Sequence, residues 1–136
     1  MSSPTLLRSG FDTLIYAKQG CMSFAGLNLL ESAKDQAQKD KAPSYIELGP
    51  EKIPCSVLQS GKKGGYAYIV DRGKQGAIYS FKKSPHANDW NILVKARAAM
   101  LLQHGYFRAK EITLSELKGF GCVLGQESIN RVDYCF

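Results

Sequence analysis

Between residues 44 and 97 the chain is a series of short runs, each bounded by a glycine- or proline-bearing turn. Within the runs apolar side chains recur at every second position. Few architectures accommodate that pattern, and an antiparallel meander with one buried face is the direct solution. "SYIEL" (44–48) leads into the Gly49-Pro50 turn. "KIPCSVLQ" (52–59) holds Pro54, which fits an edge position or a bulge because proline donates nothing to a ladder. "YAYIVD" (66–71) is expected to place Tyr66, Tyr68 and Val70 on one face. "AIYSFK" (77–82) sets Ala77, Tyr79 and Phe81 against Ile78, Ser80 and Lys82. "WNILVKAR" (90–97) sets Trp90, Ile92, Val94 and Ala96 against Asn91, Leu93, Lys95 and Arg97. The connections "SGKKGG" (60–65), "RGKQG" (72–76) and "KSPHAND" (83–89) read as turns and a polar loop.

The flanks of this meander have other periods. Residues 1–10 read as a flexible leader and 11–136 as a single domain. "FDTLIYA" (11–17) reads as a strand ended by Gly20. From Phe24 to Lys39 the spacing turns helical, with a stripe of Phe24, Leu27, Leu30, Ala33 and Ala37 to lie on the sheet. "AAMLLQHG" (98–105) is helical and closed by Gly105. "TLSELKGFG" (113–121) is expected to start a further helix, with Thr113 as N-cap and Glu116 completing a capping box. "ESINRVDYCF" closes as a strand. The expected order is β-α-β-β-β-β-β-α-α-β. That is an α+β fold, a largely antiparallel sheet of about six or seven strands under two or three helices.

At 136 residues, 44% hydrophobic and 22% charged, the chain is long and apolar enough for one real core. The N-terminus lacks the basic and apolar regions of a signal peptide, and no apolar run approaches the roughly 18 residues of a membrane helix. A soluble cytoplasmic chain without a membrane partner is expected. Cys21, Cys55, Cys122 and Cys135 form no C-x-x-C pair and read as free thiols rather than zinc ligands or disulfides.

Charge is the first functional signal. Between Gly61 and Arg97 there are eight basic residues against two acids, which accounts for the whole net charge of +6. A segregated basic region suggests a polyanion, nucleic acid before anionic lipid, with a basic surface kept for solubility as the alternative. The candidates to hold a DNA backbone are Lys62, Lys63, Arg72, Lys82, Lys83, Lys95 and Arg97. Lys62 and Lys63 read first as part of a plain exposed turn, and otherwise would ride a hairpin tip to a phosphate backbone. Lys95 and Arg97 share a strand face, with Lys82 near them if its strand pairs alongside. Aromatics interleave with these cations and either stack unpaired bases or fill the core.

Catalytic patterns are missing. His86 and His104 form no His-x-His pair, no G-x-S-x-G occurs, and "SGKKGG" lacks the spacing of a phosphate loop and joins two strands. A complete metal-dependent nuclease is therefore the least favoured reading.

"SGFDTLIYAKQG", "DWNILVKARAAMLLQHG" and "INRVDYCF", in this order, resemble proteins of the phage and plasmid replication initiation factor group. Those proteins start rolling-circle DNA replication. The resemblance covers most of the chain, though each stretch is short. It implies that Arg131-Val132-Asp133 corresponds to the family's Arg-Val/Ile-Asp triplet on a central strand, with a second acid beyond Phe136. The family's nucleophilic tyrosine lies further downstream, so Tyr134 does not inherit that role. Asp133 would supply at most one oxygen to Mg²⁺ or Mn²⁺ in a longer relative, and no cofactor is expected in this chain itself; plain exposed strand residues are the alternative. The resulting expectation is a DNA-binding, non-catalytic N-terminal domain or fragment of such an initiator, with a basic sheet face as its contact. The alternative is a small protein-interaction module of a mobile element without a nucleic-acid role, working through a strand edge or the Pro54 region.

Overall fold

The computed structural model describes residues 13–62, 65–74, 76–83 and 91–133, with Thr13 and residues 123–133 described through their backbone alone. The expected leader, the first two residues of the first strand, and Trp90 lie outside these. The elements are β1 (Thr13–Cys21), α1 (Phe24–Asp40), β2 (Ser44–Leu48), β3 (Ile53–Val57), β4 (Tyr66–Asp71), β5 (Ala77–Lys82), β6 (Ile92–Ala96), α2 (Ala98–His104), α3 (Tyr106–Gly119) and β7 (Val123–Asp133). Their order is the one the sequence periods imply, and the fold is α+β.

The strands form one sheet in the order β2-β3-β4-β5-β6-β1-β7, with every neighbouring pair antiparallel. After β1, α1 carries the chain to the far edge. The meander from β2 to β6 then returns it to the side of β1, and α2 and α3 lead to β7 on the other side of β1. All three helices lie on the same face. Glu31 and Lys34 of α1 reach Tyr68 of β4, and Thr113 and Glu116 of α3 reach Tyr16 and Tyr79. Met100 and Leu101 of α2 belong to the same buried cluster.

The alternation of the meander explains the core. Ala77, Tyr79 and Phe81 from β5 and Ile92, Val94 and Ala96 from β6 are all buried against the helices. Phe120, just after α3, meets the Tyr79 and Phe81 rings edge-on, with centroids 5.0 and 6.5 Å away. That is the arrangement favoured by the ring quadrupole.

Five expectations are corrected. Gly20 does not end β1; the strand passes through it to Cys21, and the β1–β7 ladder shifts register between Lys18 and Gly20. A glycine tolerates the local irregularity of such a bulge. Phe24 is not part of the buried stripe of α1. It is 79% exposed, and Gly26, Leu30, Ala33 and Ala37 are the buried residues of that helix, which Ser23 caps. Thr113 is not an N-cap: α3 begins at Tyr106, because "YFRAKEI" continues the helical composition, and Thr113 is buried mid-helix with its hydroxyl donating to the Lys110 carbonyl at 2.8 Å. Tyr66 does not share a face with Tyr68. The β4–β5 ladder shifts between them, so that Tyr66 stands opposite Lys82 and Tyr68 opposite Phe81.

Pro54 falls on the second strand rather than the edge strand. It pairs with Glu47 of β2, while β3 and β4 are paired only at Ser56↔Asp71 and Val57↔Val70. On the β4 side, Pro54 therefore lies past the end of the ladder, where its missing N–H costs nothing.

Candidate nucleic-acid interface

The sheet face opposite the helices carries no helix among the described residues, but it is not bare: Ala17, Ile69, Ser80 and Asn91 point to it and are buried. Cross-strand register runs one continuous row over it: Arg131, Ile15, Lys95, Ile78, Asp71, Ser56 and Tyr45, each directly opposite the next. Directly opposed residues share a face, so Lys95 and Tyr45 stand on the same side of the molecule. The row is partly apolar, with Ile78 between them and Ile15 on the far side of Lys95 both half-buried.

The seven basic candidates do not form one patch. Lys95 is exposed in the centre of the open face and has no acidic partner among the described residues. Lys82 has the parity of Ile78 and Ser80 and stands on the same face, about 13 Å from the Lys95 row along the strand direction. Its Nζ lies 5.1 Å above the Tyr66 ring. Lys62 is exposed beside them, since its backbone bridges to Tyr66 in the adjoining turn.

Arg97 also belongs to this face, but its guanidinium is committed. It donates to both carboxylate oxygens of Asp71, at 2.6 and 2.8 Å, and to the Gly73 carbonyl at 2.6 Å. The Arg97 hydrogen bonds hold the Asp71 carboxyl below its ordinary range, helped by the Gly73 amide, and Asp71 in turn raises Arg97.

Two candidates pair with acids of the helix layer, Arg72 while also reaching the Pro54 carbonyl of β3. Arg72 donates from Nε to Glu116 at 3.3 Å and from Nη1 to the Pro54 carbonyl. Lys83 lies 3.5 Å from Glu31, whose carboxyl is lowered first by the hydrogen bond from Tyr68. Lys63 and the side chain of Asp133 lie outside the described residues; the backbone of Asp133 pairs with Thr13 at the end of β7.

The aromatics divide by face. Tyr68, Tyr79 and Phe81 are core. Tyr79 donates to Glu116 in that core, and burial pushes its phenol far up, with the Glu116 charge adding to the effect. Tyr66 stands on the open face beside Lys82. Tyr45 on the edge strand is 85% exposed. Tyr45 is not among the sequence candidates; its alternation with the half-buried Ile46 is the signal that marks it.

Cys55 is buried and its thiol raised to about 11 by desolvation; Cys122 is raised to about 12 by the same cause. Cys21, Cys55 and Cys122 are free thiols. His104, at the end of α2, lines a cavity of about 310 Å³ with Arg72, Gln103 and Glu116. Among the described residues no three of His, Cys, Asp and Glu gather as ligands for a metal, and no helix is long and apolar enough to cross a membrane.

Comparison with protein-family models, with curated proteins and with solved structures finds no match for this chain.

Proposed function

We propose that this chain is a DNA-binding, non-catalytic part of a phage- or plasmid-type replication initiator, and that its open sheet face holds the DNA backbone. The observation that carries the reading is the way the basic side chains are partnered. Lys82 and Lys95 stand on the sheet face away from the helices without acidic partners among the described residues, and Lys62 flanks them. Arg72 pairs with Glu116 and Lys83 lies in an exposed pair 3.5 Å from Glu31, both acids of the helix layer, and Arg97 is committed to Asp71. Three lysines on one face give affinity for phosphates without choosing a sequence. The resemblance of the three sequence stretches supplies the biological setting. In this reading the nicking chemistry and its divalent metal belong to segments that longer relatives carry.

The test is a fluorescence anisotropy titration with a labelled oligonucleotide at 50 and 200 mM salt. Three phosphates neutralised predict a log–log salt slope of roughly −2 to −3. No binding at 50 mM salt sinks the proposal.

A second reading, a protein-interaction module, is favoured by two observations. β2 is the outermost strand, with no partner on its outer edge among the described residues, and Leu102 and Phe107 are exposed on α2 and α3. Edge pairing and exposed apolar side chains are both ways of recruiting a polypeptide. That reading predicts no oligonucleotide binding at any salt concentration.

A further inference from the structure

We infer that the cavity opened where β3 and β4 diverge takes one unpaired nucleobase of the bound DNA, with the Tyr45 ring as its stacking wall. The inference rests on the DNA-binding reading above.

The cavity follows from the ladder. β3 and β4 share two residue pairs, Ser56↔Asp71 and Val57↔Val70, and then separate. Pro54 does not extend the ladder. Arg72 bridges the gap by donating to the Pro54 carbonyl. What remains is a hollow of about 300 Å³ lined by Tyr45, Pro54, Cys55, Ser56, Asp71 and Arg72, with Gly73 at its rim. That volume is at the lower end of small-ligand sites, suited to a single ring system rather than to a duplex.

Its chemistry suits a base. The Tyr45 ring is 85% exposed and has no ring partner among the described residues. A phenol ring in that state offers a flat face, and stacking accepts any base. Arg72 supplies an edge of donors: of the five N–H groups of a guanidinium, Nε is used by Glu116 and one Nη1 hydrogen by Pro54. The others make no further hydrogen bond among the described residues. Ser56 adds a hydroxyl that donates or accepts.

Its position suits the same strand of DNA. Tyr45, Ser56, Asp71, Ile78 and Lys95 occupy one cross-strand row. Four inter-strand spacings put Tyr45 about 19 Å from Lys95. DNA held by Lys95 and laid across the strands therefore reaches the cavity within a few nucleotides. Entry requires the base to leave its stack, which an unpaired nucleotide does at least cost. Among the described side chains the acids on this side are Asp71, already bound by Arg97, and Glu47 on the edge strand.

The experiment uses the full chain and short single-stranded oligonucleotides carrying 2-aminopurine at successive positions, read by fluorescence and by anisotropy. The expected result is strong quenching at one or two positions. Tyr45→Ala should abolish that quenching and weaken binding roughly 5- to 140-fold, the range that ~1–3 kcal/mol of stacking per base corresponds to. Tyr45→Trp should keep both. Lys82→Ala should weaken binding but leave the quenching in place. Tyr45 is a surface residue, so its variants should keep the wild-type thermal midpoint. If Tyr45→Ala binds within twofold of wild type and still quenches, the base site is overturned and the DNA-binding reading stands. If the wild-type chain binds no oligonucleotide, both fall.

Discussion

The phenol of Tyr16 and the hydroxyl of Thr113 meet at 2.7 Å with neither residue exposed, tying β1 to α3 through the core. Because Thr113 donates to the Lys110 carbonyl, its oxygen is the acceptor for Tyr16. Thr113→Val keeps the shape but removes that acceptor from a buried donor. The expected cost is about 1–3 kcal/mol. Thr113→Ser keeps the oxygen and loses one methyl, about 1 kcal/mol. Urea unfolding of the two variants checks the order, and equal losses would contradict the role given to the hydroxyl.

Asp71 and Arg97 make stability depend on pH. The Arg97 guanidinium holds the Asp71 carboxyl below its ordinary range. A depressed acid contributes stability above its unfolded pKa, about 3.9, and loses it as the pH falls through the lower folded-state value. Asp71→Asn should therefore be less stable than wild type at pH 7, by about 1–2 kcal/mol once partial exposure is allowed for. The gap should begin to narrow below about pH 4, where the unfolded carboxyl takes up a proton, and close once the pH has fallen through the lower folded-state value. Urea midpoints at pH 7 and pH 3 measure it. A gap of the same size at both would contradict the assignment.

Gly49 should not accept a side chain. Its φ is +80°, and a Cβ there would lie 2.2 Å from the Gly119 carbonyl oxygen and 2.6 Å from Phe120 backbone atoms. Both obstacles are main chain, so neither moves aside. Gly49→Ala should cost about 2 kcal/mol or more. Gly73 has φ +106° but a Cβ there meets nothing within 4 Å. Gly73→Ala should lose the conformational term alone, about 1–2 kcal/mol. Thermal unfolding of the pair separates steric from conformational cost.

The fold was largely legible because the chain advertises its periods. "AIYSFK" and "YAYIVD" alternate, "ESAKDQAQKDK" is helical in composition, and Gly or Pro marks the joints, so the element order is the observed one. The misjudged residues share a cause: each depends on a neighbour far along the chain. Thr113 looked like a cap because local sequence cannot show that Tyr16 is the partner of its hydroxyl. Tyr66 changed face because the bulge exists only in the pairing of β4 with β5.

The interface was less legible than the fold. Charge density marked a candidate region, but sequence could not say which cations face acids across the core. Arg72 meets Glu116 and Lys83 meets Glu31, both contacts between the meander and the helices. Only the sheet register separates Lys82 and Lys95 from them and brings Tyr45 into the same row as Lys95.

The most direct measurement is the salt dependence of DNA binding for two sets of variants. One replaces Lys62, Lys82 and Lys95 with Ala. The other replaces Lys83 with Ala, a cation already paired with Glu31. Each phosphate contact removed should lower the log–log salt slope by roughly 0.7–0.9. The triple variant should therefore lose about 2–3 units of slope and nearly all of its binding at 200 mM salt, while Lys83→Ala should bind as wild type does. Equal effects in the two sets, or a triple variant whose slope matches wild type, would contradict the claim that the open sheet face holds DNA.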